Sequence, residues 1–124
     1  MNQEQYQELQ MLDAQLRQMQ QVVENLDNQL AQIAEIKEAL AVFEKTKEDA
    51  VLIPLANGIF AQGTLSKDKT LAVNVGSNVV VEKSVSETAK MMDDQIIELQ
   101  NYRHEIMAQM EPLVEKLQSY QSGE

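Results

Sequence analysis

From Leu9 onward the apolar residues fall at Leu9, Leu12, Leu16, Met19, Val23, Leu26, Leu30 and Ile33, in alternating steps of three and four. That spacing is the a/d seam of a coiled coil, in which each helix keeps one narrow stripe against a partner helix. A second seam runs through Ala89, Met92, Ile96, Leu99, Arg103, Ile106, Met110, Leu113, Leu117 and Tyr120. The places between are mostly Gln, Glu, Asn and Asp, so the remaining faces are solvated. Two long helices with so narrow a stripe must zip against something; neither can enclose a globular core.

The first helix is expected to run from Asn2 or Gln3 to about Lys47, an arm on the order of 65 Å at the helical rise. After Ile33 the next seam places are Lys37 and Leu40, whereas Ile36 and Phe43 suit a register shift of three residues, a stammer. Ser84-Val85-Ser86-Glu87 has the form of a capping box and opens the second helix. That helix is expected over 85–121, on the order of 55 Å long. Pro112 lies off the seam and is expected to bend it, and Ser122-Gly123-Glu124 reads as a frayed tail. The two arms are expected to fold back on each other as one antiparallel coiled coil, pairing residues whose numbers add up to about 130. This register puts Arg103 near Glu24 and Asp27, and Lys37 near Asp93 and Asp94. It also brings both termini to the free tip of the coil.

The segment between the arms, 51–83, is the only one rich in β-branched residues, and it holds three of the four glycines. Pro54 cannot donate to a strand ladder and belongs on an edge or at a bulge. Asn57-Gly58 signals a two-residue type I′ hairpin turn. Residues 59–65 and 71–75 alternate with the period of a strand. Ser66-Lys67-Asp68-Lys69 is a polar turn, and Gly76-Ser77-Asn78 turns the chain into Val79-Val80-Val81. Four short strands in two hairpins follow. Their open edges and small bulk make a poor independent unit, so oligomerisation is favoured over a monomer. The architecture is therefore α+β: a long antiparallel two-helix coiled coil (1–47 and 85–121) whose central two-hairpin segment joins an oligomeric β-barrel. Ile53, Leu55, Ile59, Phe60, Leu71, Val73, Val75, Val79 and Val81 are the residues expected at that interface.

Composition narrows the function. Two Phe, three Tyr and no Trp provide little bulk for a conventional core. A net charge of −10 with scattered Lys and Arg argues against nucleic acid, which requires clustered cations. There is no Cys, so disulfides and thiolate metal sites are excluded. No apolar run approaches the roughly 20 residues of a membrane span, and the polar start MNQEQYQELQ lacks the layout of a signal peptide. The expectation is a soluble, cytoplasmic protein with no membrane partner.

Catalytic chemistry finds no constellation. His104 falls on an outward place beside Arg103 and reads as a surface histidine. Asp93 and Asp94 are adjacent on a helix and do not face one another. Ser66 and Lys69 belong to a turn, and nothing resembles a phosphate-binding glycine loop. No enzyme activity, cofactor or metal is expected. What stands out is apolar residues off the seam near the termini: Tyr6, Met11, Met107 and Val114. Past Pro112, the seam residues Leu9, Leu12, Leu113, Leu117 and Tyr120 are candidates to splay apart. The cluster is open to two readings, a broadened coiled-coil core or a surface for promiscuous apolar contacts, which flexible Met suits.

The chain resembles the prefoldin family, specifically the alpha-class subunit of the archaeal type. The resemblance rests on Leu52-Ile53-Pro54-Leu55 leading to Gly58-Ile59-Phe60, and on Val73-Asn74-Val75-Gly76 leading to Val79-Val80-Val81-Glu82-Lys83. Two hairpins rather than one favour the alpha class, while Ala56-Asn57 departs from the glycine that often follows the proline. The resemblance implies a hexamer of two alpha-type and four beta-type subunits on a double β-barrel carrying six coiled-coil tentacles. It further implies an ATP-independent holdase that captures unfolded polypeptides and passes them to a group II chaperonin. It favours client contact for Tyr6, Leu9, Met11, Leu12, Leu113, Val114, Leu117 and Tyr120. A structural protein that forms filaments through its strand edges is the competing expectation.

Overall fold

The computed structural model describes residues 2–121. Its elements follow the order α1 (Gln3–Lys45), β1 (Ala50–Ala56), β2 (Ile59–Thr64), β3 (Leu71–Gly76), β4 (Val79–Lys83) and α2 (Val85–Gln121). This is the expected α+β order of helix, two hairpins, helix. The tail expected at 122–124 lies outside the described residues. The chain divides into two units, residues 1–33 with 95–124, and residues 34–94.

In the first unit α1 and α2 pair along their seams. Leu12, Leu16, Leu26 and Ile33 are buried on α1 and Ile106 on α2, while Leu9, Met19, Val23, Leu30, Ile96, Leu99, Met110, Leu113, Leu117 and Tyr120 are half-buried. Arg103 occupies its seam place and meets Asp27 at 2.8 Å, which fixes the antiparallel register. α1 opens with a reciprocal cap: Gln5 N–H donates to Asn2 Oδ1 at 2.8 Å, and Asn2 N–H donates to Gln5 Oε1 at 3.0 Å. These bonds satisfy amides that the first turn leaves without carbonyl partners. α2 continues through Pro112, which lies on the exposed side. There the missing N–H costs one rung of the helix without disturbing the seam.

The second unit holds the inner ends of both helices and the hairpins. Lys37 Nζ lies 2.5 Å from Asp93 Oδ1, again on the expected register. The seam keeps its spacing through Lys37 and Leu40, both half-buried, while Ile36 is 42% exposed. The register shift after Ile33 therefore does not occur where the apolar pattern placed it. Lys37 has an acidic partner across the seam, so the polar residue holds its place. Only beyond Leu40 do Phe43 and Thr46, both half-buried, continue in steps of three.

α2 starts with the expected capping box: Glu87 N–H donates to Ser84 Oγ at 3.0 Å, and Ser84 N–H to Glu87 Oε1 at 3.3 Å. Thr88, 4% exposed, donates its hydroxyl to the Ser84 carbonyl at 2.8 Å, so its buried oxygen is satisfied.

The strands form two separate antiparallel pairs, β1 with β2 and β3 with β4. Both hairpins share one design. Pro54 faces Phe60 and Ala56 faces Ile59, leaving Leu55 as a bulge; Asn74 faces Val80 and Gly76 faces Val79, leaving Val75 as a bulge. Pro54 thus sits beside a bulge on a strand with a free edge, where its missing donor costs nothing. The turns differ from the expected chemistry. At Asn57-Gly58 only Gly58 is left-handed, with φ +77°, so this is not the type I′ turn that the dipeptide signals. Ser77 and Asn78 take φ +50° and +62°, and it is the second hairpin that has the I′ geometry. The extra residue in each bulged strand supplies local twist.

Candidate interaction surfaces

The residues expected to touch clients all lie in the first unit and divide by burial. Tyr6 is 57% exposed and Met11 68%, and Val114 stands at the edge of exposure, so these three present apolar surface to solvent. Leu12 is buried, and Leu9, Leu113 and Leu117 are half-buried in the seam. Met107 is exposed too, and with Ala108 and Val114 it lines a shallow groove of about 530 Å³ along α2.

The seam stays closed beyond Pro112. Glu8 is the reason: its Oε2 accepts the Tyr120 hydroxyl at 2.6 Å, and its Oε1 pairs with Lys116. These bonds from Lys116 and Tyr120 hold the Glu8 carboxyl below its ordinary range. The same carboxylate raises the Lys116 ammonium and the Tyr120 phenol above theirs. Tyr120 therefore acts as a cross-helix tie, with its ring half-buried and its hydroxyl engaged.

The residues expected at the oligomer interface lie on the two hairpins. Ile53, Leu55, Ile59, Phe60, Val75 and Val79 are exposed, whereas Leu71, Val73 and Val81 are half-buried. The shared bulge gives each hairpin end an equivalent apolar trio. On the first it is Leu55, Ile59 and Phe60; on the second, Val75, Val79 and Val80. Val80 and Leu52 are exposed on the same hairpins, and the sequence reading did not count them among the interface residues. A period-two pattern counts one face of a strand, and these residues occupy the other. On the first hairpin the Ile53 side chain lies across Gly63, where an added Cβ would stand 2.7 Å from the isoleucine Cδ1.

Lys69 also escaped that reading. It lies in the link between the hairpins, and its Nζ donates to the carbonyls of Phe43, Glu44 and Thr46 at 3.0, 2.7 and 2.7 Å. Among the described residues no group of three or more His, Cys, Asp or Glu side chains is placed to hold a metal ion. His104 is exposed, and among the described residues no helix is long and apolar enough to cross a membrane.

A pair of seam-zipped helices joined through two bulged, apolar-tipped hairpins defines a class of coiled-coil assembly subunits. The chain belongs to the prefoldin family: the model of the prefoldin subunit matches residues 7–123. It is 27% identical over 73 residues to prefoldin subunit alpha of Thermofilum pendens, a match covering 59% of this chain. The match spans 57% of that curated relative's length. The fold is similar to that of the filamentous PFD of Methanocaldococcus jannaschii solved by cryo-EM, with a TM-score of 0.77 and 21% identity. That similarity covers 93% of this chain and 96% of the other. The alpha subunit match agrees with the two-hairpin assignment to the alpha class. Prefoldin is a chaperone family rather than an enzyme family, and membership supports a chaperone-like role.

Proposed function

We propose that the chain is the alpha-class subunit of an ATP-independent holdase acting in the cytoplasm. It joins beta-class subunits, two alpha with four beta, through its hairpins, and the assembly delivers unfolded polypeptides to a group II chaperonin. Clients bind at the end of the helix pair that carries Tyr6, Met11 and Val114, with Leu9, Leu12, Leu113, Leu117 and Tyr120 backing them. The observation that carries this reading is the exposure of Tyr6 and Met11 beside a seam that is otherwise closed. A solvated coil would place polar groups there.

The test uses the assembled complex and a chemically denatured client whose aggregation is followed by light scattering. Changing Tyr6, Met11 and Val114 together to Ser is expected to abolish suppression of aggregation while native mass spectrometry still shows the hexamer. Unchanged suppression would overturn the client assignment. Leu12 is unsuited to this test, because its burial makes a Ser there a packing defect.

One observation favours a second reading. The fold is similar to a filamentous assembly, and each hairpin leaves its outer strand edges unpaired within the chain. Exposed edges are templates for further strand pairing. A concentration-dependent polymer of the purified chain would support a structural filament. A small species that grows only on adding a beta-class subunit would support the holdase.

A further inference from the structure

We infer that Lys69 is a positioning residue for assembly: it pins the link between the hairpins to the carboxyl end of α1, so that both hairpins meet partner subunits in one orientation. The inference rests on the reading that the hairpins are the assembly surface.

An ammonium has three protons to donate, and all three are used on one target. Phe43, Glu44 and Thr46 offer carbonyls at the end of α1, where the last turn runs short of N–H donors; the Phe43 carbonyl also accepts the Thr46 N–H at 3.3 Å. These carbonyls carry the negative end of the helix dipole, so a cation is favoured there. The ammonium also lies 5.7 Å from the centroid of the Phe43 ring, within cation–π range. Lys69 itself has φ +51°, a conformation that a non-glycine residue keeps only when its surroundings hold it.

The link is stiff enough to transmit this anchor. Lys69 N–H donates to the Ser66 carbonyl at 3.2 Å. Asp68 Oδ1 accepts from the Ser66 hydroxyl at 2.5 Å and from the Thr70 amide at 3.3 Å. β2 ends at Thr64 and β3 begins at Leu71, so a fixed turn over 66–69 orients the strands that leave it on both sides.

The test compares Lys69→Met, which keeps the stem and removes the donors, with Lys67→Met on the same turn as control. Amide exchange is measured on the chain alone, and assembly by native mass spectrometry with a beta-class prefoldin subunit. Lys69→Met is expected to keep the helical circular dichroism, to speed exchange over 65–71 about ten-fold, and to raise the assembly midpoint concentration by about the same factor. Lys69→Arg retains the charge but spreads its donors over a planar fork, and should restore part of both. Should Lys69→Met prove unfolded, Lys69→Arg takes its place, with smaller changes of the same sign expected.

Unchanged exchange, faster exchange with unchanged assembly, or an equal effect of Lys67→Met would each overturn the proposal. Phe60→Asp separates the two levels. If it disrupts assembly and Lys69→Met does not, the Lys69 proposal alone fails. If Phe60→Asp assembles like the natural chain, the hairpin reading fails and the Lys69 proposal with it.

Discussion

Arg103 Nε donates to Asp27 Oδ1 at 2.8 Å from a seam place that its neighbours fill with apolar side chains. Both partners remain well exposed, at 38% and 50% for their side chains. A pair so hydrated contributes only about 0–1 kcal/mol. Its value is in register, because a polar group in the seam penalises slipped pairings. Replacing Arg103 with Leu should therefore raise the stability of the helix pair by about 1 kcal/mol, through added seam burial. It should also broaden the distribution of distances between spin labels placed on the two helices. Chemical denaturation reads the first effect and pulsed electron resonance the second. A stability loss beyond about 1 kcal/mol would show that the ion pair matters more than exposed pairs do.

The Glu8 cluster gives the helix pair a defined pH window. Hydrogen bonds from Lys116 and Tyr120 lower the Glu8 pKa from its ordinary 4.5, so folding opposes protonation of this carboxyl. Its contribution is present above about pH 4.5 and is lost as pH falls through the lowered value. Lys116 and Tyr120 are raised from 10.5 and 10.0, mainly by their bonds to Glu8, so folding opposes their deprotonation. Their contribution is complete below about pH 10 and is lost as pH rises through the raised values. Glu8→Gln keeps an acceptor for Tyr120 and removes the charge. The difference in Tm between the natural chain and this variant should be positive and flat from about pH 5 to 10, and shrink on either side. A difference that does not vary with pH would exclude these groups as its source.

Capping separates two starts that look alike in structure and differ in sequence. Ser84→Ala should cost about 1 kcal/mol in chemical denaturation, the usual loss for an N-cap hydroxyl. Asn2→Ala should cost no more than that, because α1 can fray by a turn without opening the buried residues that begin at Leu12. The Glu87 carboxyl, bonded by the Ser84 amide and hydroxyl, has a lowered pKa. Its stabilisation therefore belongs to the range above the ordinary carboxylate value and disappears in acid. Ser84→Ala keeps the amide, the larger cause, and removes the hydroxyl, so it should reduce that acid dependence only in part, and an unchanged acid limb would argue against a role for the hydroxyl.

The seams were legible because a narrow stripe of burial imposes a period, and a period survives in the sequence without knowledge of the partner. The register was legible through Arg103 and Lys37, whose charges find Asp27 and Asp93. Other features were not carried by any local pattern. Ile36 looked like a seam residue on hydropathy alone, but the ion pair of Lys37 holds the register. Asn57-Gly58 carried the strongest turn signal, yet only Gly58 is left-handed there, while Ser77-Asn78 takes the primed geometry behind an equivalent bulge. The Asn2–Gln5 box uses the same reciprocal bonds as Ser84–Glu87 with less familiar residues. Lys69 was hidden most deeply. Its partners are backbone carbonyls more than twenty residues away, and every residue has a carbonyl. The exposed pair Tyr6 and Met11 was legible as a departure from the seam, and the run Val79-Val80-Val81 as apolar on both faces of its strand.

The two turns make a final prediction of opposite signs. Gly58 adopts φ +77°, and a Cβ added there would meet nothing within 4 Å, so space does not explain the glycine. Backbone conformation does, since a side chain in the left-handed region costs about 1–2 kcal/mol. Gly58→Ala should therefore destabilise the first hairpin by about 1 kcal/mol. Asn78, at φ +62° in the second position of a primed turn, stands where glycine is the favoured residue. Asn78→Gly should stabilise the second hairpin by about 0.5 kcal/mol, part of the left-handed cost that Asn already reduces. Amide exchange over β2 and over β4 reads the hairpins separately. Faster exchange in β2 in the first variant and slower exchange in β4 in the second are the expected results. Equal shifts of one sign at both sites would mean that the hairpins open together, and that the local turn energies are not resolved at either.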